Sequence, residues 1–484
     1  MDSTPSSATY SLLTLETLYF IRIGGTAMGG VAGACAALGD QVFGSEQDLY
    51  EPMKSYLEDA GVSVFRSFDP ANMLECKPTQ VVVGNAVSRG NEELEVALEQ
   101  KLNCVSLPAL IGERLIGKKT SVVIAGTHGK TTTTAMTAAV LEAGGLEPGF
   151  LIGGVPGNFN VSCRPGGGSV FVIEGDEYDS AYFDKRSKFL HYRPDIAVVN
   201  NIEFDHADIF DDLAAVKKTF RLFIRLVPRN GVVLANGDDA NVLDVLRVAC
   251  SPVETFGFSE GCFWQVRGLV EGPQGSRFSV LRDGSEFGEF GSPANGRFNA
   301  LNMLVAIATG HRLGMTLAQL QAGVASYLSP KRRMQEVGTW HGALVIDDFG
   351  HHPTAIRETL AALFSKYPGR RVVACFEPRS NTTTRAFYSK EIEECFEGCA
   401  AVAFGALDRP ERYSESERLD TRGIAARLSA LGVPSMAISL EQGSEKDWGR
   451  HVLAWLVGVV QEGDLVVSFS NGSFGGLLSS LRGA

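Results

Sequence analysis

The chain has 484 residues, 44% of them hydrophobic, and its 54 glycines and ordinary share of charged residues are typical of an α/β protein. This length exceeds what one hydrophobic core usually serves and indicates about three domains. The formal net charge of −12 argues against a general affinity for nucleic acid or for an anionic membrane surface. A negatively charged ligand must therefore be bound at specific sites.

The cysteines and the first residues indicate the compartment. Nine cysteines without a Cys-x-x-Cys pair favour reduced thiols over a disulfide framework. The first twenty residues contain no Lys or Arg, and the chain has no uninterrupted apolar run of about 18 residues. Neither a secretory signal nor a membrane span is predicted, and we expect a cytoplasmic protein.

A Gly-rich turn follows the first predicted strand, at residues 18–23. The turn spans residues 24–30 and is similar to the first turn of a Rossmann-type domain, but Thr26 occupies the place of the second glycine of the dinucleotide fingerprint. Because the backbone must approach a pyrophosphate closely there, the sequence argues against an NAD-dependent dehydrogenase. Further strands at residues 41–44 and 80–83 predict a small Rossmann-like domain over residues 16–117.

A second Gly-rich turn is the strongest signal in the sequence. Residues 126–131 read Gly-Thr-His-Gly-Lys-Thr, and they lie between a predicted strand at 121–125 and an apolar helix that ends near Gly144. Such a turn directs backbone N–H groups and a helix N-terminus at a polyphosphate, while Lys130 reaches the β/γ-phosphates and the Thr131 hydroxyl binds Mg²⁺. The spacing is shorter than in the common phosphate loop. We predict an ATP-binding domain over residues 118–328.

Polar residues follow the next two predicted strands, at 170–173 and 195–199. They include Glu174 and His206, and the carboxyl ends of parallel strands are where such sheets bind ligands. Glu174 suits Mg²⁺ together with the Thr131 hydroxyl. His206 is a less typical ligand, and on chemistry alone a hydrogen-bonded structural histidine fits equally well.

The remainder of the chain predicts a small antiparallel sheet and a third domain. Residues 254–290 alternate in short segments with Gly between them, which favours antiparallel hairpins. Helical periodicity returns at 299–314, and a basic run at 331–333 marks a hinge or an interdomain contact. Strands at 343–346, 371–376, 401–404 and 464–469 then predict a Rossmann-like C-terminal domain over residues 329–484.

Several motifs together resemble the Mur ligase family, the ATP-dependent amide-bond-forming enzymes of peptidoglycan synthesis. The resemblance covers nearly the whole chain and is carried by residues 126–131, 174–179, 201–206, 299–302, 332–333 and 347–354. Four more segments, at 152–159, 183–189, 377–382 and 470–476, are most similar to the family members that join UDP-N-acetylmuramate to a free L-Ala-γ-D-Glu-meso-diaminopimelate tripeptide in peptidoglycan recycling. The alternative within the family is the ligase that adds L-alanine in de novo synthesis.

The resemblance implies a mechanism and an order of domains. UDP-sugar binding, ATP binding and peptide binding would follow one another along the chain. ATP would phosphorylate the lactyl carboxylate of UDP-N-acetylmuramate, and the peptide amine would attack the acyl phosphate. Such ligases act in cell-wall biogenesis, and so in cell shape and division. We expect a monomer or weak homodimer that binds neither nucleic acid nor membrane.

The resemblance also implies roles for individual residues. Those that would hold ATP are Gly126, Thr127, His128, Gly129, Lys130, Thr131, Thr132, Asn299, Asn302 and Asp348. Thr131, Glu174 and His206 would bind Mg²⁺, and Lys130, His206, Arg332 and Arg333 would act on the reacting phosphoryl group. The substrates would contact Thr26, Asn85, Asn91, Asn158, Arg379, Ser380 and Asn381.

Two positions depart from the family pattern, and some candidates have a plainer explanation. Phe298 stands where many relatives have His, so a nucleotide hydrogen bond from that side chain is absent. Phe220 stands near the place of a carbamylated lysine in some members, and we predict no carbamylation. Asn85 and Asn91 are also common turn residues, and His351 and His352 could simply cap the strand-to-helix turn before Pro353. A phosphate-loop motor that uses ATP for conformational work is the alternative of a different class.

Overall fold

The computed structural model describes residues 14–205 and 209–482. Three large sheets, each flanked by helices, follow one another along the chain, and a two-stranded sheet accompanies the second. This mixed α/β architecture confirms the predicted fold class. Within these residues we find no helix with the length and apolar character that a membrane span requires.

The N-terminal unit contains five strands and five helices. The strands are β1 (Thr17–Ile21), β2 (Gln41–Ser45), β3 (Ser63–Phe65), β4 (Gln80–Val83) and β5 (Cys104–Ser106). The helices are α1 (Thr26–Ala37), α2 (Met53–Asp59), α3 (Pro70–Cys76), α4 (Glu92–Glu99) and α5 (Leu107–Leu110). The sheet is parallel with the order β3-β2-β1-β4-β5. The order reverses between β1 and β4, and ligands of such sheets bind at this switch point.

The central unit contains the longest sheet. Its strands are β6 (Thr120–Ala125), β7 (Gly149–Leu151), β8 (Cys163–Arg164), β9 (Val170–Gly175), β12 (Ile196–Val199), β13 (Val232–Asn236), β14 (Val253–Gly257), β15 (Trp264–Gly272), β16 (Gly275–Arg282) and β17 (Ser285–Ser292). The separate hairpin is β10 (Asp179–Ala181) with β11 (Asp184–Ser187). The helices are α6 (Lys130–Ala143), α7 (Leu213–Ile224), α8 (Ala240–Val245), α9 (Arg297–Arg312) and α10 (Leu317–Ala325).

Parallel pairing brings three strand ends of this unit to one edge. β6 lies between β9 and β12 and is parallel to both. All three strands are nearly continuous apolar runs because both faces of the sheet are covered. Their carboxyl ends therefore place the Gly126 turn beside Glu174 and Asn200, as the sequence predicted for Glu174.

The antiparallel segment at 254–290 differs in part from its prediction. β15, β16 and β17 form antiparallel hairpins, but they extend the parallel sheet instead of forming a sheet of their own. β14 pairs in parallel with both β13 and β15. The sequence shows the alternating pattern and the turns of these hairpins. It does not show which strand the hairpins pair with, because strand pairing depends on contacts between residues that are distant along the chain.

The C-terminal unit is a six-stranded sheet with helices on both faces. The strands are β18 (Gln335–Trp340), β19 (Ala343–Asp348), β20 (Val372–Phe376), β21 (Ala401–Phe404), β22 (Ser435–Ala437) and β23 (Leu465–Phe469). The helices are α11 (Pro353–Lys366), α12 (Ser389–Glu394), α13 (Thr421–Ala430), α14 (Leu440–Gly443), α15 (Gly449–Val459) and α16 (Leu477–Arg482). The order is β18-β19-β23-β20-β21-β22, with only β18 antiparallel among these pairs. The sequence did not predict the two edge strands, β18 and β22.

The hydrophobic cores show how the units join. One core contains side chains of the N-terminal sheet, such as Phe20, together with side chains of the central unit, such as Val123 of β6 and Phe223 of α7. The other face of the central sheet packs on α6, α9 and α10. The C-terminal sheet has its own core on each face. The first two units therefore share buried apolar surface, and the third contacts them through more polar surfaces.

Candidate active site

The phosphate loop lies between β6 and α6. Gly126 has φ of +147°, and a Cβ there would lie 2.9 Å from Asn200 Cβ and 3.2 Å from Asn201 N. Gly129 has φ of +81° and is the residue before α6. Only glycine fits both the conformation and the space at Gly126. The loop thus turns tightly enough to present the first N–H groups of α6 to an anion.

Lys130 and Thr131, the first residues of α6, face two carboxylates, of which Glu177 is buried and Glu174 is partly buried. Lys130 Nζ donates to Glu177 Oε2 at 2.9 Å and to the Gly126 carbonyl at 2.8 Å. Burial opposes the charge of Lys130, but Glu177, Asp176 and Glu174 together raise its pKa above the ordinary value. The ammonium group therefore stays protonated and is held directly beside the phosphate loop.

The Thr131 hydroxyl donates to Glu174 Oε2 at 3.1 Å, and Gly153 N–H donates to the other carboxylate oxygen. Neighbouring ligands of an octahedral Mg²⁺ with bonds of about 2.1 Å lie about 3 Å apart, so this oxygen pair fits the ion. Burial raises the pKa of Glu174, although the hydrogen bond from the Gly153 N–H and the charge of Lys130 act to lower it. The third predicted ligand, His206, lies outside the described residues.

A cavity of about 510 Å³ extends from the phosphate loop to the C-terminal unit. His128, Gly129 and Thr132 of the loop region line one side. The start of α9 contributes Asn299 and Asn302, and the C-terminal unit contributes Asp348. Six of the ten residues that the resemblance assigns to the nucleotide, although far apart in sequence, therefore border one space. The other four, Gly126, Thr127, Lys130 and Thr131, do not line it. Phe298 also lines it and offers an aromatic face.

Several of these side chains also make internal hydrogen bonds. Asn302 Oδ1 accepts from the Thr133 hydroxyl, and Asn299 Nδ2 donates to the Asn295 carbonyl. Asp348 accepts from the backbone N–H groups of Met334 and Gly350 at 2.8 and 2.7 Å. Burial raises the pKa of Asp348. This part of the cavity wall is therefore fixed by the protein itself.

The two predicted arginines point to different places. Arg333 lines the cavity together with Asp348, and its guanidinium lies 5.5 Å from the centroid of the Phe349 ring. Arg332 is directed into the C-terminal unit, where it contacts Asp347 at 3.2 Å and donates to the carbonyls of Ser470 and Gly472. Of the pair, Arg333 is placed to reach a nucleotide, and Arg332 holds its own unit together.

A second cavity, of about 660 Å³, lies between the N-terminal and central units. Thr26 and Asn85 line it at the switch point of the N-terminal sheet, and Lys130 and Glu174 line its other side. Asn91 does not line it and instead caps α4 by accepting from Leu94 N–H at 3.0 Å. The plainer interpretation of Asn91 as a local structural residue therefore accounts for its contact.

Asn158 bridges to the last residues of the central unit, just before the C-terminal unit begins. Its amide donates to the Ser326 carbonyl at 2.8 Å, and its oxygen accepts from Leu328 N–H at 2.8 Å. It lines none of the three cavities. These bonds occupy the side chain, so its predicted substrate contact has no support in this conformation.

The predicted peptide-binding residues lie in the C-terminal unit. Arg379 lines a third cavity, of about 330 Å³, together with Glu377, Asp408 and Arg409. The hydroxyl of Ser380 pairs with Thr383 at 2.7 Å, and Asn381 is partly buried next to it. The cavity wall thus carries charges of both signs. Neither Ser380 nor Asn381 lines this cavity.

Sequence reasoning missed other residues of the site. It gave Glu177 no role, although Glu177 is the counter-ion of Lys130. It also missed Lys188, which lines the second cavity and pairs with Asp176 at 2.6 Å. The acidic run at 174–179 and the basic run at 185–188 were the available signals. Only the fold shows that these two runs meet.

Comparison with known proteins identifies the family. The chain matches the models "Mur ligase family, catalytic domain" over residues 17–118, "Mur ligase middle domain" over residues 124–310 and "Mur ligase, glutamate ligase domain" over residues 332–472. The chain belongs to the Mur ligase family. Members of this family are ATP-dependent, ADP-forming ligases, and the protein is an enzyme of this class. The resemblance seen in the motifs is thereby confirmed.

Among curated Mur ligases, the UDP-N-acetylmuramate–L-alanyl-gamma-D-glutamyl-meso-2,6-diaminoheptandioate ligase of Escherichia coli (strain K12) is 38% identical over 96% of this chain and 97% of its own. The ligase of the same name from Haemophilus influenzae is 37% identical over 96% and 98%. A UDP-N-acetylmuramate–L-alanine ligase from Geotalea uraniireducens is 30% identical over 95% and 96%. The sequence is therefore nearer to the first two than to this alanine ligase.

Solved structures of Mur ligases are also similar to this chain. The murein peptide ligase of Psychrobacter arcticus 273-4 has a TM-score of 0.70 and 31% identity, covering 97% of this chain and 99% of that one. The Thermotoga maritima UDP-N-acetylmuramate-alanine ligase has a TM-score of 0.76, with 96% of this chain and 99% of that one covered, but only 21% identity. The second similarity shows the Mur ligase fold alone.

Proposed function

We propose that this Mur ligase joins UDP-N-acetylmuramate to L-alanyl-γ-D-glutamyl-meso-diaminopimelate and uses ATP and Mg²⁺. The observation that carries the proposal is that the phosphate loop borders both large cavities. His128 and Gly129 line the first cavity, whereas Lys130 lines the second with Glu174. A nucleotide in the first would present its terminal phosphate to an acid held in the second.

The geometry supports an acyl-phosphate mechanism. The carboxylate oxygen of the sugar nucleotide would form a bond to the γ-phosphorus as the bond to ADP breaks. The peptide amine would then form the C–N bond, lose its proton, and release phosphate that carries the former carboxylate oxygen. Lys130 and Arg333 would stabilise charge on the transferring group by position and electrostatics. When bound by Thr131 and Glu174, Mg²⁺ would neutralise phosphate charge.

The three units suggest a division of labour. We assign residues 16–117 to the UDP-sugar, 118–328 to ATP and 329–484 to the peptide. Thr26 and Asn85 are placed for the sugar nucleotide, since they line the second cavity. Arg379 is placed for a peptide carboxylate, and a guanidinium matches a carboxylate fork well. Acidic Glu377 and Asp408 in the same cavity suit the amino group of a zwitterionic peptide.

The cellular setting follows from the chemistry. All nine cysteines are free in the described structure, which suits a reducing compartment. We propose a cytoplasmic enzyme that returns murein peptides to cell-wall synthesis, as a monomer or weak homodimer without nucleic-acid or membrane partners. Roles in cell shape and division would follow from that supply.

A competition assay tests the substrate assignment. The enzyme receives ATP, Mg²⁺ and UDP-N-acetylmuramate with equimolar tripeptide and free L-alanine, and mass spectrometry measures the two products. We expect the tripeptide conjugate to dominate. Preferential formation of the L-alanine conjugate would instead support the alternative ligase, to which this chain is less similar.

An oxygen-tracer assay tests the mechanism. UDP-N-acetylmuramate labelled with heavy oxygen in its carboxylate should transfer one label to each phosphate released. Phosphate without label, in a reaction that still forms the amide, would refute the acyl phosphate. ATP cleavage that needs neither the sugar nucleotide nor an amine would favour a motor or switch instead.

A further inference from the structure

Three side chains outside the predicted Mg²⁺ pair meet at the boundary of the central and C-terminal units. His128 belongs to the phosphate loop, Glu203 follows β12, and His352 precedes α11. One ligand atom from each lies within 4.8 Å of the others. His128 Nε2 is 3.3 Å and His352 Nδ1 is 3.6 Å from the same oxygen, Glu203 Oε2. The two imidazole rings are tilted by 39° to each other, with centroids 4.4 Å apart.

These separations match a small metal site. Tetrahedral Zn²⁺ with bonds of about 2.0–2.1 Å holds neighbouring N and O ligands about 3.3 Å apart. Two of the three separations are already close to this value, so a side-chain adjustment of a few tenths of an ångström would suffice for them. Two histidines and one carboxylate leave the fourth position to water or another ligand.

The central-unit half of the cluster is held in place by backbone contacts. Asn201 Oδ1 accepts from His128 N–H at 2.7 Å, and Asn201 Nδ2 donates to the His128 carbonyl. Thr127 Oγ1 accepts from Glu203 N–H at 2.9 Å. Two of the ligands are thus positioned by the phosphate loop and the end of β12 without help from the C-terminal unit. Such preorganisation lowers the cost of binding an ion.

The third side chain is buried without a full set of hydrogen bonds. His352 is 3% exposed, and its Nε2 atom has no hydrogen-bond partner in the described part of the chain. Its Nδ1 accepts from Thr354 N–H at 3.3 Å, a long bond. Burial is the main cause that lowers the pKa of His352, to about 3.

We propose that His128, Glu203 and His352 bind one divalent transition-metal ion of the Zn²⁺ type, which fastens the C-terminal unit to the central unit. Imidazole nitrogens with one carboxylate select such ions over Mg²⁺, which prefers oxygen ligands. The site shares no residue with the Thr131 and Glu174 pair. It does not depend on which peptide the enzyme uses.

Two variants remove ligands with little other change. His352→Asn keeps a good N-cap for α11, since Asn is among the preferred cap residues. Glu203→Gln keeps an oxygen that can accept from the Thr354 hydroxyl, now 3.0 Å from Glu203 Oε2. Glu174→Gln alters the predicted Mg²⁺ pair instead. His191→Asn is a matched histidine control, because His191 pairs with Asp184 away from the cluster.

The test is titration of the full-length, chelator-treated protein with ZnCl₂ by calorimetry, without ATP and in excess Mg²⁺, with CoCl₂ as a spectroscopic probe. We expect one saturable site and the visible absorption of four-coordinate Co²⁺. His352→Asn and Glu203→Gln should weaken Zn²⁺ binding by at least about 10–100-fold, since loss of outer partners alone costs that much. Glu174→Gln and His191→Asn should bind as the wild type does.

Three results would overturn the proposal. The first is no saturable Zn²⁺ binding to the wild type. The second is equal binding by His352→Asn and Glu203→Gln. The third is a loss of Zn²⁺ affinity in Glu174→Gln as large as the loss in Glu203→Gln. This result would place the ion at Thr131 and Glu174. Circular dichroism and thermal melts of each metal-free variant establish that a loss of binding is not a loss of fold.

Discussion

The ammonium nitrogen of Lys130 lies 2.9 Å from Glu177 Oε2, and the Glu177 side chain is only 2% exposed. Lys130 thus rests on a buried carboxylate while it also contacts the Gly126 carbonyl. Phosphate oxygens at the loop would compete with Glu177 for the same ammonium protons. The resting protein therefore holds its phosphate-binding lysine charged and close to its place of use.

Removal of the Lys130 amine should nearly abolish ligation. In Lys130→Ala, one preorganised charge is lost from the transferring phosphoryl group, and losses of this kind lower kcat by about 10²–10³-fold. Product formation by mass spectrometry is the measurement. Lys390→Ala, a change at an exposed lysine of α12, should retain wild-type turnover. Turnover by Lys130→Ala equal to that of Lys390→Ala would contradict the assignment.

Removal of the Thr131 hydroxyl should weaken the response to Mg²⁺. Thr131→Val keeps the shape but removes the oxygen that lies 3.1 Å from Glu174 Oε2, so half-maximal activity should require several-fold more Mg²⁺. Thr137→Val is the matched control, because the buried Thr137 hydroxyl on the same helix has no partner within the described chain. The measurement is initial rate against Mg²⁺ concentration. Coincident curves for the two variants would exclude Thr131 as a ligand.

The two neighbouring arginines should separate catalysis from stability. Arg333→Ala removes a charge from the nucleotide cavity and should lower kcat/KM for ATP with little change in Tm. Arg332→Ala removes hydrogen bonds to Asp347, Ser470 and Gly472, and bonds of charged groups contribute about 1.5–3 kcal/mol each. It should therefore lower Tm. Paired kinetics and thermal melts check both, and the reverse pattern would contradict our placement of the side chains.

Glu93 should make stability depend on pH. Its carboxylate is buried and accepts from the hydroxyls of Tyr19 and Ser45, and burial raises its pKa above 4.5. A raised folded-state pKa means that the stabilisation is complete below pH 4.5 and is lost as pH rises through the folded-state value. The loss is at most about 1.4 kcal/mol per pH unit.

Glu93→Gln can keep both hydrogen bonds without the charge. Thermal unfolding followed by circular dichroism should show this variant to be more stable than the wild type at pH 8 and similar to it near pH 4.5. Glu99→Gln, at the exposed end of α4, is the control and should follow the wild-type curve. If the variant is less stable than the wild type at pH 8, the ionised Glu93 carboxylate stabilises the folded protein, which would contradict the prediction.

Much of the fold could be predicted from sequence because the information was local. One such pattern is the Gly126 turn between an apolar strand and a helix. Another is Glu174 at the end of the next predicted strand. Each consists of residues close together in sequence and usually forms the same local structure. β18 and β22 were missed because they are edge strands, whose partners decide their state. Their sequences alone carry little periodic signal.

Individual site residues were harder to predict, for reasons visible in their contacts. Asn91 and Asn158 are polar residues near motifs, but a helix cap and a backbone bridge use their side chains. Arg332 and Arg333 both lie near the Phe349 ring, but only Arg333 lines the nucleotide cavity, and adjacent positions in the sequence do not show this difference. The cluster of His128, Glu203 and His352 forms only where two units meet, so no spacing along the chain indicates it.

The bridge made by Asn158 limits where the C-terminal unit can pivot. Asn158 ties Ser326 and Leu328 to the central unit, and Lys331 N–H donates to the Val155 carbonyl at 3.0 Å. The linker is therefore anchored up to Lys331, and β18 begins at Gln335. Any swing of the last third of the molecule must turn near the junction of Lys331 and Arg332, because Arg332 is already bonded to Asp347, Ser470 and Gly472 of the C-terminal unit. Arg333 lies one residue beyond this junction. The guanidinium of Arg333 would therefore move little and stay near the nucleotide, whereas the peptide-binding surface, which is farther from the pivot, would move over a larger distance.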